Sequence, residues 1–175
     1  AGIKNYKGIT MSTDGTKLAA AVYGGNIWTS TDSGASWTED TSVGATRKWT
    51  AITSSADGTR LAAVESNGGN SNQVTYIWTS SDSGVTWTED NSVGTKKNWK
   101  GITMSADGTK LAAAVIEGNI WISSNSGVTW TEDTSIGHTQ NWYHITMSAD
   151  GTKLAAVASY AGIWTSSNSG TNWSE

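Results

Sequence analysis

The stretch SSDSGVTW at residues 80–87 decides the fold of this chain, because its pattern occurs three more times. In each copy a Ser is followed by Asp or Asn, then by Gly, and finally by Trp, at fixed spacing. An Asp or Asn side chain accepts hydrogen bonds from nearby backbone amides and Gly allows positive φ, so each copy predicts a tight turn closed by the Trp. The other copies are STDSGASW at 30–37, SSNSGVTW at 123–130 and SSNSGTNW at 166–173.

The rest of the chain repeats around these turns. Residues 5–44 align without gaps on residues 98–137, with 30 of 40 positions identical. An Asp-Gly turn signal also recurs once per copy, and unit 2 is longer because residues are inserted between Glu65 and Tyr76. We therefore expect a single repeat domain, 1–175, made of four near-copies. Units 1 to 4 are residues 1–43, 44–93, 94–136 and 137–175.

Each unit contains four short runs that predict β-strands. Representative runs are WTAITSS at 49–55, KLAAAV at 110–115, NIWTS at 26–30 and TWTED at 86–90, in the order strand one to strand four. A unit of about 43 residues with four antiparallel strands is typical of a propeller blade. The sequence thus predicts an all-β fold, a β-propeller built from four four-stranded antiparallel blades. The ring is either closed and four-bladed, or half of a larger ring formed by oligomerisation, or the four units are part of a longer chain.

The turn pattern resembles the Asp-box, S-x-D-x-G-x-x-W, of the Asp-box (BNR) repeat propeller family. This family includes sialidases, xyloglucan hydrolases, sortilin-type receptors and photosystem assembly factors. Four matches at blade spacing extend the resemblance over the whole chain. The resemblance implies that the box is a folding element between strands three and four. The residues assigned this structural role are Ser30, Asp32, Gly34, Trp37, Ser80, Asp82, Gly84, Trp87, Ser123, Asn125, Gly127, Trp130, Ser166, Asn168, Gly170 and Trp173.

The residue inventory argues against catalysis. The resemblance to sialidases implies three arginines that hold a substrate carboxylate, but this chain has only Arg47 and Arg60. Glycoside hydrolysis needs two carboxylates that face each other. Glu65 and Glu117 are the carboxylates outside repeated turn or strand positions, and both are expected in loops between strands two and three of different units. We therefore predict a non-enzymatic member of the family, with no catalytic residues.

Composition limits the partners and cofactors. A net charge of −4 with only 15 % charged residues argues against nucleic-acid binding. No apolar run approaches the roughly 20 residues of a membrane helix, so membrane insertion is not expected. Cysteine is absent, and His138 and His144 occur only in unit 4 without clustered ligands, so no metal and no cofactor are expected. A Thr-, Ser-, Asn- and Gly-rich composition with few charges favours an extracellular or secreted protein.

Tryptophan is strongly enriched, with eleven Trp and no Phe. The registers on strand three and in the boxes are predicted to be core between blades. A third aromatic register begins strand one next to amide and amine side chains, which suits stacking on sugar C–H groups and hydrogen bonding to hydroxyls. The residues predicted to bind a glycan or other small polar ligand are Tyr6, Trp49, Trp99 and Trp142, with Asn5, Lys48, Asn98 and Asn141.

Two functions are compatible with these sequence features. The first is a non-catalytic, lectin-like binding module in which repeated weak sites gain from avidity. The alternative is a structural or assembly subunit, in which the boxes are purely folding elements and the aromatic rings fill the blade interfaces. It predicts an exposed apolar patch or an incomplete ring, and its partners would be a homo-oligomer or a larger protein assembly. Exposure of Trp49, Trp99 and Trp142 distinguishes the two.

Overall fold

The computed structural model describes residues 2–70, 72–94 and 97–175. Within these ranges the chain forms β-strands connected by turns, without helices, and therefore without a helix that could cross a membrane. The strands are β1 Tyr6–Met11, β2 Leu18–Gly25, β3 Ile27–Ser30, β4 Thr38–Asp40, β5 Arg47–Ser54, β6 Leu61–Glu65, β7 Ile77–Ser80, β8 Thr88–Asp90, β9 Trp99–Met104, β10 Leu111–Val115, β11 Ile120–Ser123, β12 Thr131–Asp133, β13 Trp142–Met147, β14 Leu154–Ala158 and β15 Ile163–Ser166.

Consecutive strands within each unit pair antiparallel. β1 to β4, β5 to β8 and β9 to β12 each form a four-stranded meander, whereas β13 to β15 form three strands and Ser174 adds only a bridge to Thr165. The end of β2 also pairs with the start of β5, which joins units 1 and 2 into one eight-stranded sheet. The other two sheets have four and three strands.

Each unit has two repeated turns where the sequence predicts them, one at Asp-Gly after strand one and one at the box after strand three. In the first, Ser55 donates to the carboxylate of Asp57, which also accepts the amide of Thr59 at 3.0 Å. Gly58 follows with a φ of 65°. A short side chain that accepts from the backbone two residues ahead is the usual stabiliser of such a turn.

The core lies between successive units and joins two unlike faces. The face that each unit turns towards the preceding unit, called here the front face, contains Trp49, Ile52 and Leu61 in unit 2. The face towards the following unit, called the rear face, contains Ala19, Ala21 and Ile27 in unit 1. Small residues on strand two allow the large front-face side chains to approach closely. The same combination forms the clusters between units 2 and 3 and between units 3 and 4.

The units follow one another in an open arc. The first strands pack in the order β1, β5, β9 and β13, and β13 makes no comparable packing with β1 among the described residues. The chain alone therefore does not close a ring, which contradicts the closed four-bladed alternative. Among the described residues, the front face of unit 1 and the rear face of unit 4 have no intramolecular partner.

Candidate functional site

The aromatic register predicted to bind a ligand is buried at three of its four positions. Trp49 is 1 % exposed and Trp99 and Trp142 are 0 % exposed, whereas Tyr6 is 39 % exposed. A ring without a free face cannot stack on a sugar. The prediction that Trp49, Trp99 and Trp142 contact a ligand is therefore wrong, and these rings are part of the core between units.

A β-bulge determines which face of each unit these rings occupy. Side chains alternate along a strand, so Trp49 and Ile52 would lie on opposite faces of an ideal β5. The pairing with β6 shifts register between Trp49 and Ala51. The extra residue brings Trp49 to the front face beside Ile52, where its ring meets Trp78 edge-on at 6.2 Å. The first strands of the other units show the same shift.

The polar residues before these rings hold strand ends together. The Asn5 carbonyl accepts the amide of Tyr23 in β2, and the Asn98 carbonyl accepts the amide of Ile116, directly after β10, both at 2.9 Å. Lys48 Nζ donates to Gln73 Oε1 at 3.2 Å, and Asn141 Oδ1 accepts the Glu117 amide at 3.2 Å. These contacts tie each residue to its own or the preceding unit, and three of the four rings predicted to share a site with them are buried.

The box residues form a closed network within each turn between strands three and four. Ser80 Oγ donates to Asp82 Oδ1 at 2.8 Å and accepts the Gly84 amide at 2.9 Å. The Thr86 amide and hydroxyl then donate to the two Asp82 oxygens, at 2.9 and 2.6 Å. Asn125 keeps the acceptor for the amide of Thr129 at 2.9 Å. The network works with either a carboxylate or an amide.

The turn carboxyls have pKa values below the usual range for Asp. The hydroxyl and amide of Thr86 lower the pKa of Asp82 to about 2, and the hydroxyl of Ser55 with the amide of Thr59 lowers the pKa of Asp57 to about 2. A carboxyl that is ionised at neutral pH and occupied by donors is a poor general acid. These groups therefore stabilise turns.

Glu65 was expected in a loop, but it lies at the end of β6 and is buried. It replaces a Val of the repeat, and it accepts Arg47 Nη1, Trp78 Nε1 and the Tyr76 amide at 3.2, 3.2 and 3.1 Å. Burial raises the pKa of the carboxyl, and these donors oppose the rise. Glu65 thus provides an internal polar anchor directly before the inserted loop of unit 2.

The remaining candidate acid–base groups do not converge. Glu117 lies in an exposed turn of unit 3 with a φ of 55°, apart from Glu65 in unit 2. His138 packs edge-on against Trp164 with ring centroids 6.3 Å apart, while His144 is exposed on β13. Within residues 2–70, 72–94 and 97–175, no three His, Asp or Glu side chains form a group that could hold a metal.

The front face of unit 1 is an exposed apolar surface. Ile9 is 65 % exposed, and its equivalent in unit 2, Ile52, is buried against unit 1. Tyr6, Ile9 and Trp37 line an open concavity of about 570 Å³. Met11 extends the same face and is also exposed. The equivalent faces of units 2, 3 and 4 are covered by the preceding unit.

The rear face of unit 4 is its counterpart at the other end of the arc. Ile163 is 65 % exposed, whereas the equivalent Ile27, Ile77 and Ile120 are fully buried by the following unit. Val157 on the neighbouring strand is also exposed. The two end faces therefore display the side chains that form the core elsewhere in the chain. Sequence reasoning anticipated an apolar patch without locating it.

Comparison with known proteins supports the fold. No family model matches the chain, and no curated protein matches it. Among solved structures, the GH74 enzyme of Niastella koreensis superposes with a TM-score of 0.72 at 21 % identity, over 99 % of this chain and 24 % of that one. YCF48 from Cyanidioschyzon merolae gives 0.68 at 13 % identity, over 98 % and 56 %. A chain of a nidogen/laminin complex gives 0.73 at 12 %, over 97 % and 62 %.

These matches show that the chain has a β-propeller fold. At these identities the likeness concerns the fold alone. The chain spans less than two thirds of the length of each of these structures. This partial coverage agrees with an open arc of propeller units.

Proposed function

We propose that this chain is a non-catalytic interaction module, whose two end faces dock it into a larger propeller assembly. In this proposal each repeat unit is one blade, and the chain is a non-enzymatic Asp-box protein. The observation that supports it is the exposure of Ile9 and Ile163. The isoleucines at the equivalent positions of the other units are buried by a neighbouring unit. Leaving such surfaces in water is unfavourable, at roughly 25 cal/mol per Å², so covering them favours association.

The proposed absence of catalysis is supported by three carboxylates that already have structural partners. Asp57 and Asp82 hold turns, and Glu65 is enclosed by an arginine, an indole and a backbone amide. Neither arrangement offers a second carboxyl across a cleft. We expect no cleavage products when the chain is incubated with a panel of oligosaccharides and the mixture is analysed by mass spectrometry.

Binding of the apolar dye bis-ANS tests whether the end faces are accessible docking surfaces. The measurement is made at nanomolar chain concentration, where self-association is minimal. We expect dye fluorescence with the unchanged chain, and a marked decrease in both Ile9→Glu and Ile163→Glu. Val85→Asp is the matched control, because Val85 is apolar and 69 % exposed but lies in a box turn. Equal dye binding by all four proteins would contradict the proposal.

Carbohydrate binding is a second candidate, favoured by two equivalent grooves that contain hydroxyl and carboxylate groups. One, of about 360 Å³, lies between units 2 and 3 and is lined by residues including Thr86, Glu89 and Ser126. The other, of about 450 Å³, lies between units 3 and 4 and contains the equivalent Glu132 and Ser169. Hydroxyl and carboxylate groups repeated at unit spacing suit the hydroxyls of an oligosaccharide.

A glycan array tests this second function. We expect binding by the unchanged chain and by Glu175→Gln, and loss of binding in the double variant Glu89→Gln, Glu132→Gln. Glu175 is the equivalent position in unit 4 and lines neither groove. Binding that survives the double substitution would place any glycan elsewhere, and an array without binding would remove this function.

A further inference from the structure

The three internal junctions share one set of contacts. The side-chain stem of a basic residue in one unit lies against the Asp-Gly turn of the next unit. A Cβ at Gly58 would lie 2.9 Å from Lys17 Cβ, and one at Gly151 would lie 3.0 Å from Lys110 Cβ. The Lys17 ammonium then donates to Ser83 Oγ in the next box at 3.2 Å. The absence of a side chain on these glycines is what allows the close approach.

A directional series of backbone hydrogen bonds crosses the same junctions. The Thr13 amide donates to the Ala56 carbonyl at 2.7 Å, the Ala56 amide to Ala106 at 2.8 Å, and the Ala106 amide to Ala149 at 2.8 Å. At the ends of the series, the Ala149 amide and the Thr13 carbonyl have no backbone partner among the described residues. Each unit donates to the next, so the two free groups are a matching donor and acceptor.

The Lys–Gly contact and the isoleucine contact also lack a partner at the two ends of the arc, among the described residues. Lys153 of unit 4 is exposed and equivalent to Lys17 and Lys110, while Gly15 of unit 1 meets only Met11 of its own unit among the described residues. Ile163 is the free rear-face isoleucine, and Ile9 is the free front-face one. Among the described residues, each end therefore has the isoleucine, the backbone group and the Lys or Gly of one unused half-junction.

We infer that the partner of these end faces is a second copy of this chain, docked head to tail. The inference rests on the proposed function of the end faces and identifies their occupant. The rear face of unit 4 in one copy packs on the front face of unit 1 in the other, and two identical junctions close the ring. A two-fold axis relates the copies, and the closed particle contains eight units.

His144 modulates this junction. The equivalent residues at internal junctions are small, namely Gly8, Ala51 and Gly101. A Cβ at Gly8 would already lie 3.2 Å from the Ile52 amide nitrogen, so the next unit approaches very closely. The His144 imidazole must turn away from the second copy for the junction to form. Its presence weakens association, and His144→Ala strengthens it.

Sedimentation velocity over a concentration series tests the inference. We expect a discrete species with twice the 18.4 kDa chain mass. Ile9→Glu and Ile163→Glu each weaken its formation more than about tenfold, because each substitution changes both junctions. Val85→Asp leaves association unchanged, and His144→Ala shifts the equilibrium towards the dimer. All three end-face positions are exposed, so these variants are expected to fold.

Mixing the two glutamate variants distinguishes head-to-tail docking from docking of like faces. A mixed pair retains one unaltered junction, so association recovers in part on mixing Ile9→Glu with Ile163→Glu. Recovery supports the inference. A dimer that only Ile9→Glu disrupts would overturn it, as would an open-ended series of larger species. If the chain is a monomer at every concentration while its end faces still bind the dye, a second copy is not the partner, but the proposed interaction function still stands.

Discussion

At the scale of single residues, the acceptor at the centre of each box turn matters more than its charge. Asp82 and Asn125 each accept the amide of the Thr that directly precedes the box Trp. The Thr86 hydroxyl donates to Asp82, whereas Asn125 Nδ2 donates to the Thr129 hydroxyl. Both side chains replace backbone partners that the turn lacks. Units 1 and 2 have Asp at this position and units 3 and 4 have Asn, so the molecule itself contains both versions of the turn.

Asp82→Ala is expected to lower the thermal unfolding midpoint, whereas Asp82→Asn is expected to keep it. Alanine leaves the Thr86 amide without its acceptor, while asparagine reproduces the arrangement of unit 3. The expected decrease for alanine is about 2 to 4 °C, the shift produced by loss of one turn-capping interaction in a chain of this size. Circular dichroism melts of both variants measure it. An equal decrease in both would show that the charge itself is required.

The same carboxylates predict a loss of stability in acid. Hydrogen-bond donors lower the pKa of Asp32 and Asp82 from the usual 3.8 to about 2. Folding therefore gains stability from these groups above their unfolded pKa, and the gain disappears as pH falls through the folded value. We expect the unfolding midpoint to decrease between pH about 4 and about 2.

A double variant, Asp32→Asn with Asp82→Asn, provides the control for this acid effect. It removes two of the titrating groups while preserving their turns, so its midpoint should depend less on pH over the same interval. Glu65 acts in the opposite direction, because burial raises its pKa and its ionised form is the less favourable one in the fold. Identical pH profiles for the variant and the unchanged chain would contradict this account.

At the scale of strands, equivalent positions of the repeat differ in burial, depending on which units lie next to them. Trp99 and Tyr6 occupy the same position of the repeat, on β9 and β1. Trp99 is enclosed between units 2 and 3, whereas the front face of unit 1 leaves Tyr6 partly exposed. The position within the repeat therefore does not determine burial, and the presence of a preceding unit does.

Trp99→Ala is expected to lower the free energy of unfolding by about 3 to 5 kcal/mol, the usual cost of removing a buried large aromatic side chain. Tyr6→Ala is the matched control, and it should change stability much less because its ring is already in contact with water. Urea denaturation at low chain concentration measures both. Equal losses would mean that the first-strand aromatic contributes through its own unit and not through the junction.

The strands could be predicted from the sequence because Asp-Gly and the box bracket alternating apolar runs in every unit. The bulge could not, since nothing in the residues around Trp49 and Ala51 distinguishes a bulged strand from a regular one. That single extra residue reverses the face of the ring. The prediction that Trp49, Trp99 and Trp142 contact a ligand failed because neighbouring units cover these rings. Glu65 was noticed as an exception in the repeat, but its burial depends on Arg47 and the inserted loop.

At the scale of the whole molecule, contacts connect each unit mainly to its immediate neighbours. Units 2 and 3 have a neighbour on both faces, while units 1 and 4 have one each. The stability of such an array is approximately a sum of unit and junction contributions. The sequence could not predict which units lose a junction, because Ile9 and Ile52 lie in the same motif and only one is covered.

Hydrogen exchange of the monomer is expected to show a gradient from the middle of the arc to its ends. Amides of β6 and β10 lie in strands buried on both sides and should exchange slowest, whereas those of β14 and β15 should exchange faster because no described residue covers the rear face of unit 4. Exchange followed by mass spectrometry at low chain concentration measures the gradient. Raising the concentration should slow exchange in β1 and β15 together if the ends dock on each other. Uniform protection at low concentration would contradict the nearest-neighbour account, and slowing at one end alone would contradict the head-to-tail junction.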